Sequence, residues 1–162
     1  MIRFITDENA LQVLEIYSYG LQSRNATFET RVPGWKDWNE KFHTHSRLGY
    51  FEDDQLLGWA AITPFSKREV YRGVAEVSIY VNPNHSGKGI GSGLMAALIS
   101  SSEENGIWTL FSSVFPENQA TIRLHEKYGF QLLGRRNKIA KLDGIWRDTL
   151  IFERRSKLTG ID

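Results

Sequence analysis

Apolar and polar positions follow two rhythms along the chain, and the switches between them mark out the elements. Ile2 to Ile5 predicts a short strand. Ala10, Val13, Leu14, Ile16 and Tyr17 then recur at three- and four-residue steps, which predicts a helix capped by Thr6 or Asp7. Gly20 to Thr30 is polar and irregular. Pro33 suits the first turn of a second helix, whose Trp35, Trp38 and Phe42 share one face as core or interface. Leu48 to Glu52 and Leu56 to Thr63 flank a hairpin turn at Asp53-Asp54. Pro64 to Arg72 is a loop, and Glu76 to Val81 is an unbroken run of β-formers headed by one acid. A helix carrying Leu94, Ala97 and Leu98 on one face runs to about Glu104, where Asn105-Gly106 stops it. Ile107 to Val114 is apolar nearly throughout, which predicts a strand buried on both faces before Pro116 breaks it. Asn118 to Tyr128 predicts a helix ended by Gly129, and Phe130 to Leu133 returns as a strand. Asp143-Gly144 joins Lys138–Leu142 to Trp146–Phe152 as a hairpin, ahead of a charged tail from Glu153. The order β-α-α-β-β-β-α-β-α-β-β predicts an α+β domain over 1–162, with a mixed, mostly antiparallel sheet and helices on both faces.

The centre of this pattern is the passage from strand to helix around residue 85. Asn82-Pro83-Asn84 ends the strand, and His85-Ser86-Gly87-Lys88-Gly89-Ile90-Gly91 leads into the next helix. The first N–H groups of a helix have no internal partner, and the helix dipole adds partial positive charge there. Glycines also let an anion approach the backbone closely, and Lys88 adds a full charge. The glycines do not fit the nucleotide P-loop, because Lys88 lies between them, nor the dinucleotide G-x-G-x-x-G. Spacing alone leaves a nucleotide-type ligand and a structural turn equally open.

Composition narrows the partners. A formal net charge of +1 gives no basic surface for nucleic acid. No apolar run approaches the roughly 20 residues that span a bilayer, and MIRFITDENAL has acids where a secretory signal needs an apolar stretch. The chain has no cysteine, which removes disulfides, thiolate metal sites and a cysteine nucleophile together, so a cytoplasmic location is expected by default. Of His43, His45 and His85, the first two are two apart, on different faces of a predicted helix, and no carboxylate is spaced to join them. No metal site is expected from them.

Ser86-Gly87-Lys88-Gly89-Ile90-Gly91 resembles the R/Q-x-x-G-x-G/A pyrophosphate loop of the GNAT acetyltransferase superfamily, with Ser86 where Arg or Gln is usual. Asn118 through Phe130 (NQATIRLHEKYGF) resembles that superfamily's second coenzyme A segment. Tyr71 to Val81, Gly144 to Asp148, and Asn25 to Thr30 resemble the phosphinothricin and methionine-sulfoximine N-acetyltransferases. The resemblance spans roughly the whole chain. It implies the GNAT fold, acetyl-CoA as co-substrate, a homodimer, and an amino-acid-like acceptor acetylated by direct attack on its α-amine.

The same resemblance implies roles for named residues. Glu76 corresponds to a general base acting through water, and burial would raise its pKa usefully; otherwise it is a strand-edge carboxylate paired with Arg72 or another cation. His125 stands where many GNAT enzymes have a tyrosine that protonates the CoA thiolate; otherwise it is a partly exposed histidine that only hydrogen-bonds. Ser86, Gly87, Lys88, Gly89, Ile90, Gly91 and Ser92 are expected against the pyrophosphate. Ile79, Tyr80 and Val81 are expected along the pantetheine, with Asn118 bonding it or simply capping its helix. Phe28, Glu29, Gly73 and Val74 match the family's acceptor-contacting segments. Arg72 beside them is expected on the acceptor's carboxylate because a guanidinium binds a carboxylate bidentately, and is otherwise an ordinary loop cation, with Arg147 next in line. Two rivals remain open: a protein N-terminal acetyltransferase with an open groove, and a non-catalytic acyl-CoA-binding module.

Overall fold

A computed structural model describes residues 1–162 and resolves the two rhythms into seven strands and four α-helices. In chain order these are β1 Ile2–Phe4, α1 Ala10–Ser23, α2 Trp35–Lys41, β2 Leu48–Glu52 and β3 Gln55–Pro64. They continue with β4 Val74–Val81, α3 Ile90–Glu104, β5 Thr109–Val114, α4 Gln119–Lys127, β6 Gln131–Leu142 and β7 Ile145–Arg155. The strands form one sheet in the order β1-β2-β3-β4-β5-β7-β6. Only the β4–β5 pairing is parallel, because α3 crosses over between them and reverses the chain direction once more.

Each face of the sheet carries its own core, as strand alternation requires. Ala75 and Val77 of β4 point with Ala60 and Ile62 of β3 toward α3, where Leu94, Met95 and Leu98 are fully buried. Trp59 and Ala61 of β3 point the other way, with Val13 and Ile16 of α1 and Trp38 of α2. Tyr80 packs on this second side, so Glu76 and Ser78, at even steps from it along the strand, share that face.

Several boundaries differ from the sequence expectation. α1 continues through Gly20, because the Tyr80 ring occupies the space a side chain there would need: a Cβ on Gly20 would lie 2.5 Å from it. α2 begins at Trp35 after an extended Gly34, so Pro33 stands outside it. β5 is not buried on both faces; Ser113 is exposed and Phe111 half-exposed. Phe130–Leu133 and Lys138–Leu142 are not separate strands but parts of β6, with register irregularities between Leu132 and Gly134 and between Arg136 and Ala140. The tail from Glu153 begins as the end of β7, paired with β5 through Arg155. No helix is long and apolar enough to cross a membrane.

The feature that positions everything else is a split in the sheet. β4 and β5 pair only over Val74–Glu76 and Thr109–Phe111. Beyond that β4 runs on to Val81 along β3, while β5 runs on to Val114 along β7. A wedge opens between them, and the backbone groups facing it have no neighbouring strand.

Candidate active site

A cavity of about 680 Å³ fills this wedge and passes from one face of the sheet to the other. Its walls are Val77 to Val81 of β4 and Ser112 to Phe115 of β5 and its exit. One mouth is formed by the loop into α3, the other by the segment after α1 together with Lys41 and Thr63.

At the α3 mouth, Asn82 caps a single 3-10 turn over Pro83–His85 by accepting from the Asn84 N–H at 3.0 Å. The chain then turns through Gly87 and Gly89 with φ of +77° and +78°, and Gly89 is the N-cap of α3. Open space surrounds both glycines, so conformation rather than room demands them. Ser86, Gly87, Gly89, Ile90 and Gly91 line the cavity. Lys88 and Ser92 do not. The Lys88 ammonium lies 3.4 Å from Nδ1 of His85, which does line the cavity. The Ser92 hydroxyl faces α4, where it lies 2.7 Å from the Tyr128 hydroxyl and accepts from Lys127 at 2.8 Å.

Along the wedge, Ile79, Tyr80 and Val81 form the β4 wall. Asn118 does two things: its Oδ1 caps α4 by accepting from the Thr121 N–H at 3.2 Å, and its Nδ2 donates to the Asn25 carbonyl at 3.1 Å. This ties the loop after α1 over the cavity. Arg147 ties it again, donating to the Arg24 carbonyl at 3.0 Å, pairing with Glu117 at 3.2 Å and covering the Phe115 ring. Phe28 meets Phe115 edge-on at 4.9 Å between centroids, and Phe28 and Glu29 both line the cavity.

Glu76 is half-buried on the cavity wall. Burial pushes its pKa above the usual carboxylate value, and the charges of Lys41 and Arg136 pull it partly back. It is not paired with Arg72. His125 is only 4% exposed. Its Nδ1 lies 2.8 Å from the Thr121 carbonyl and its Nε2 2.7 Å from Ser112 Oγ. Burial lowers its pKa below the ordinary imidazole value, which favours the neutral ring, and the hydrogen bond to Thr121 opposes this in part.

Three expected acceptor contacts lie outside the cavity wall. Arg72 is exposed, 3.7 Å from Glu69 and over the Trp108 ring. Gly73 is packed so tightly on Trp108 that a Cβ would come within 2.1 Å, and its carbonyl accepts from the N–H groups of Trp108 and Thr109. It secures the β4–β5 junction, and Val74 begins the paired stretch beside it. Lys41 is the residue that the sequence did not reveal. Among the lysines and arginines of the chain, it alone lines this cavity. Nothing in its surroundings in sequence, a short helix ending in Glu40-Lys41, sets it apart from a surface lysine. Ser112 was also missed, although a polar residue inside an otherwise apolar run was a visible signal. His43 and His45 lie beyond the end of α2, not on different helix faces; their rings are 4.7 Å apart, and both pKa values are lowered by burial and by Arg47.

The profile of the Acetyltransferase (GNAT) family matches residues 11–130. The protein YwnH of Bacillus subtilis (strain 168) is 34% identical over 147 residues, which cover 88% of this chain and 90% of that protein. The L-methionine sulfoximine/L-methionine sulfone acetyltransferase of Pseudomonas paraeruginosa is 32% identical over 142 residues, covering 84% of this chain and 83% of that one. The crystal structure of a GNAT superfamily phosphinothricin acetyltransferase from Sinorhizobium meliloti, in complex with AcCoA, superposes with a TM-score of 0.90 at 25% identity. That match covers 100% of this chain and 91% of that one.

Proposed function

Because the chain belongs to the Acetyltransferase (GNAT) family, we propose that it transfers the acetyl group of acetyl-CoA to the α-amine of a small amino acid or analogue. Methionine sulfone, methionine sulfoximine and phosphinothricin are the candidate acceptors. The observation that carries this reading is the wedge itself. It joins a glycine turn and helix N-terminus at one mouth to a half-buried carboxylate and a single cation at the other.

In this reading the pyrophosphate lies against the N–H groups of Gly87 to Gly91, where the helix dipole favours negative charge. The pantetheine arm follows Ile79 to Val81, whose unpaired backbone N–H groups also face the thioester oxygen as it gains charge. The acceptor enters from the α2 side between Phe28, Glu29 and Lys41. Glu76, with its raised pKa, takes a proton from the ammonium so that the free amine attacks the thioester directly. Lys41 takes the role expected of Arg72 and meets the acceptor's carboxylate. When an amine attacks directly, His125 acts as a hydrogen-bonding residue rather than as the donor to the thiolate, since its one ring hydrogen is on Nδ1, committed to Thr121, and Nε2 has gained none.

The protein is further read as one domain over 1–162 and as a homodimer. The outer edge of β6 has no strand beside it, and the β6–β7 hairpin exposes Leu132, Leu133, Ile139, Ile145 and Trp146 together. The function is tested by incubating the protein with labelled acetyl-CoA and a pool of amino acids and short peptides. A labelled N-acetyl amino acid supports it. Label on peptide N-termini alone would select the peptide acetyltransferase, and tight acetyl-CoA binding with no transfer the binding module.

A further inference from the structure

Ser112 sits in the middle of β5 on the face that otherwise carries Leu110 and Val114. The Ser112 hydroxyl, in a residue only 3% exposed, has one partner: Nε2 of His125. Behind the ring, Nδ1 faces the Thr121 carbonyl. A carbonyl only accepts, so Nδ1 carries the hydrogen, and Nε2 of the neutral ring accepts the proton of Ser112. A hydroxyl held by an imidazole whose far nitrogen is oriented by a fixed acceptor is the arrangement of a base-activated serine nucleophile. Ser112 and His125 both line the wedge, across from Ile79 and Tyr80 of β4.

We propose that Ser112 is a second acetyl acceptor, so that without an amine the protein hydrolyses acetyl-CoA through an acetyl-Ser112 ester. The inference rests on the wedge being the acetyl-CoA site. Ser112 Oγ attacks the thioester carbon while its proton passes to His125 Nε2. The C–S bond breaks, and the leaving sulfur takes that proton, giving free CoA and the serine ester. Water then loses a proton to Nε2 and attacks the ester carbon. The C–Oγ bond breaks, Oγ recovers the proton from Nε2, and acetic acid leaves, losing its proton to solvent as acetate. Nothing is oxidised or reduced.

The test uses the full chain with acetyl-CoA and no amine. Free CoA is followed with a thiol reagent, and acid-quenched protein is weighed intact and mapped by peptide. The expected results are CoA release above the enzyme-free rate and a mass gain of one acetyl group located on Ser112. Ser112→Ala should lower that release by about 100-fold or more, the scale of a lost base-assisted step. Release without a detectable adduct still supports the proposal if Ser112→Ala abolishes it, and overturns it if the variant keeps it. An acetyl group found only on lysines overturns it, as does release no faster than without enzyme. If Ser112→Ala does not fold, Ser112→Cys replaces it; a thioester adduct at Cys would support the proposal, and none in either protein would end it. A parallel assay of the wild type with the amino-acid pool separates the two readings. Amine acetylation without any serine chemistry leaves the proposed function standing alone, and a Ser112 adduct without amine acetylation does the reverse.

Discussion

Replacing Lys41 by glutamine examines the acceptor site most directly, because it removes the one lysine or arginine charge on the cavity wall and little else. A unit charge pair at about 4 Å contributes about 1 kcal/mol in water and about 4 kcal/mol at an effective dielectric near 20. Lys41 is exposed, so solvent screens it, and the lower part of that span applies, about 1–2 kcal/mol. That corresponds to a rise of about 5- to 30-fold in the acceptor KM, with the KM for acetyl-CoA unchanged. The assay is initial rate at saturating acetyl-CoA, for a free amino acid and for its amide, in wild type, Lys41→Gln and Arg72→Ala. The wild type should prefer the acid; Lys41→Gln should lose most of that preference, and Arg72→Ala should keep it. Lys41 also draws the pKa of Glu76 down, so its removal should move the acidic limb of the rate profile to higher pH. An acid-to-amide ratio unchanged in Lys41→Gln refutes the reasoning, and a ratio that collapses in Arg72→Ala instead returns the carboxylate to Arg72.

Three more outcomes are expected from the same geometry. Glu76→Gln should lower kcat by about 100- to 10,000-fold with CoA affinity unchanged. Activity requires the ionised acid, so the wild-type rate should fall as pH drops through its burial-raised pKa, and that limb should vanish in the variant; near-full turnover at pH 7 would leave Glu76 structural. Gly89→Ala puts a side chain at φ +78°, so the strain of about 1 kcal/mol should appear as a lower Tm, and its methyl group where the anion approaches the backbone should weaken CoA binding in calorimetry; an unchanged CoA affinity would refute the pyrophosphate assignment. Gly73→Ala drives a Cβ into Trp108 and should cost about 1–3 kcal/mol, lowering Tm by several degrees for a chain of this size, with little effect if Trp108 can swing away.

Much of this protein was legible in the chain because the relevant constraints are local. Two hydrophobic rhythms fix helix or strand, Asn82 and Asn118 cap the helical turns that begin beside them, and Gly87 and Gly89 mark a turn that other residues enter only under strain. The α+β arrangement and the β-formers from Val77 to Val81 came from those signals, and the motifs between residues 71 and 130 added the family. What the sequence left undecided was where side chains point once strands part. Glu76, Arg72 and Gly73 are neighbours in the chain, yet only Glu76 looks into the cavity, because pairing with β5 over Val74–Glu76 holds the other two at the closed end of the wedge. Lys41 joins Glu76 only because α2 lies across that face, and Ser112 meets His125 only because α4 packs over β5. Contacts between residues many positions apart depend on how the sheet splits and how its helices lie on it, and no local pattern encodes either.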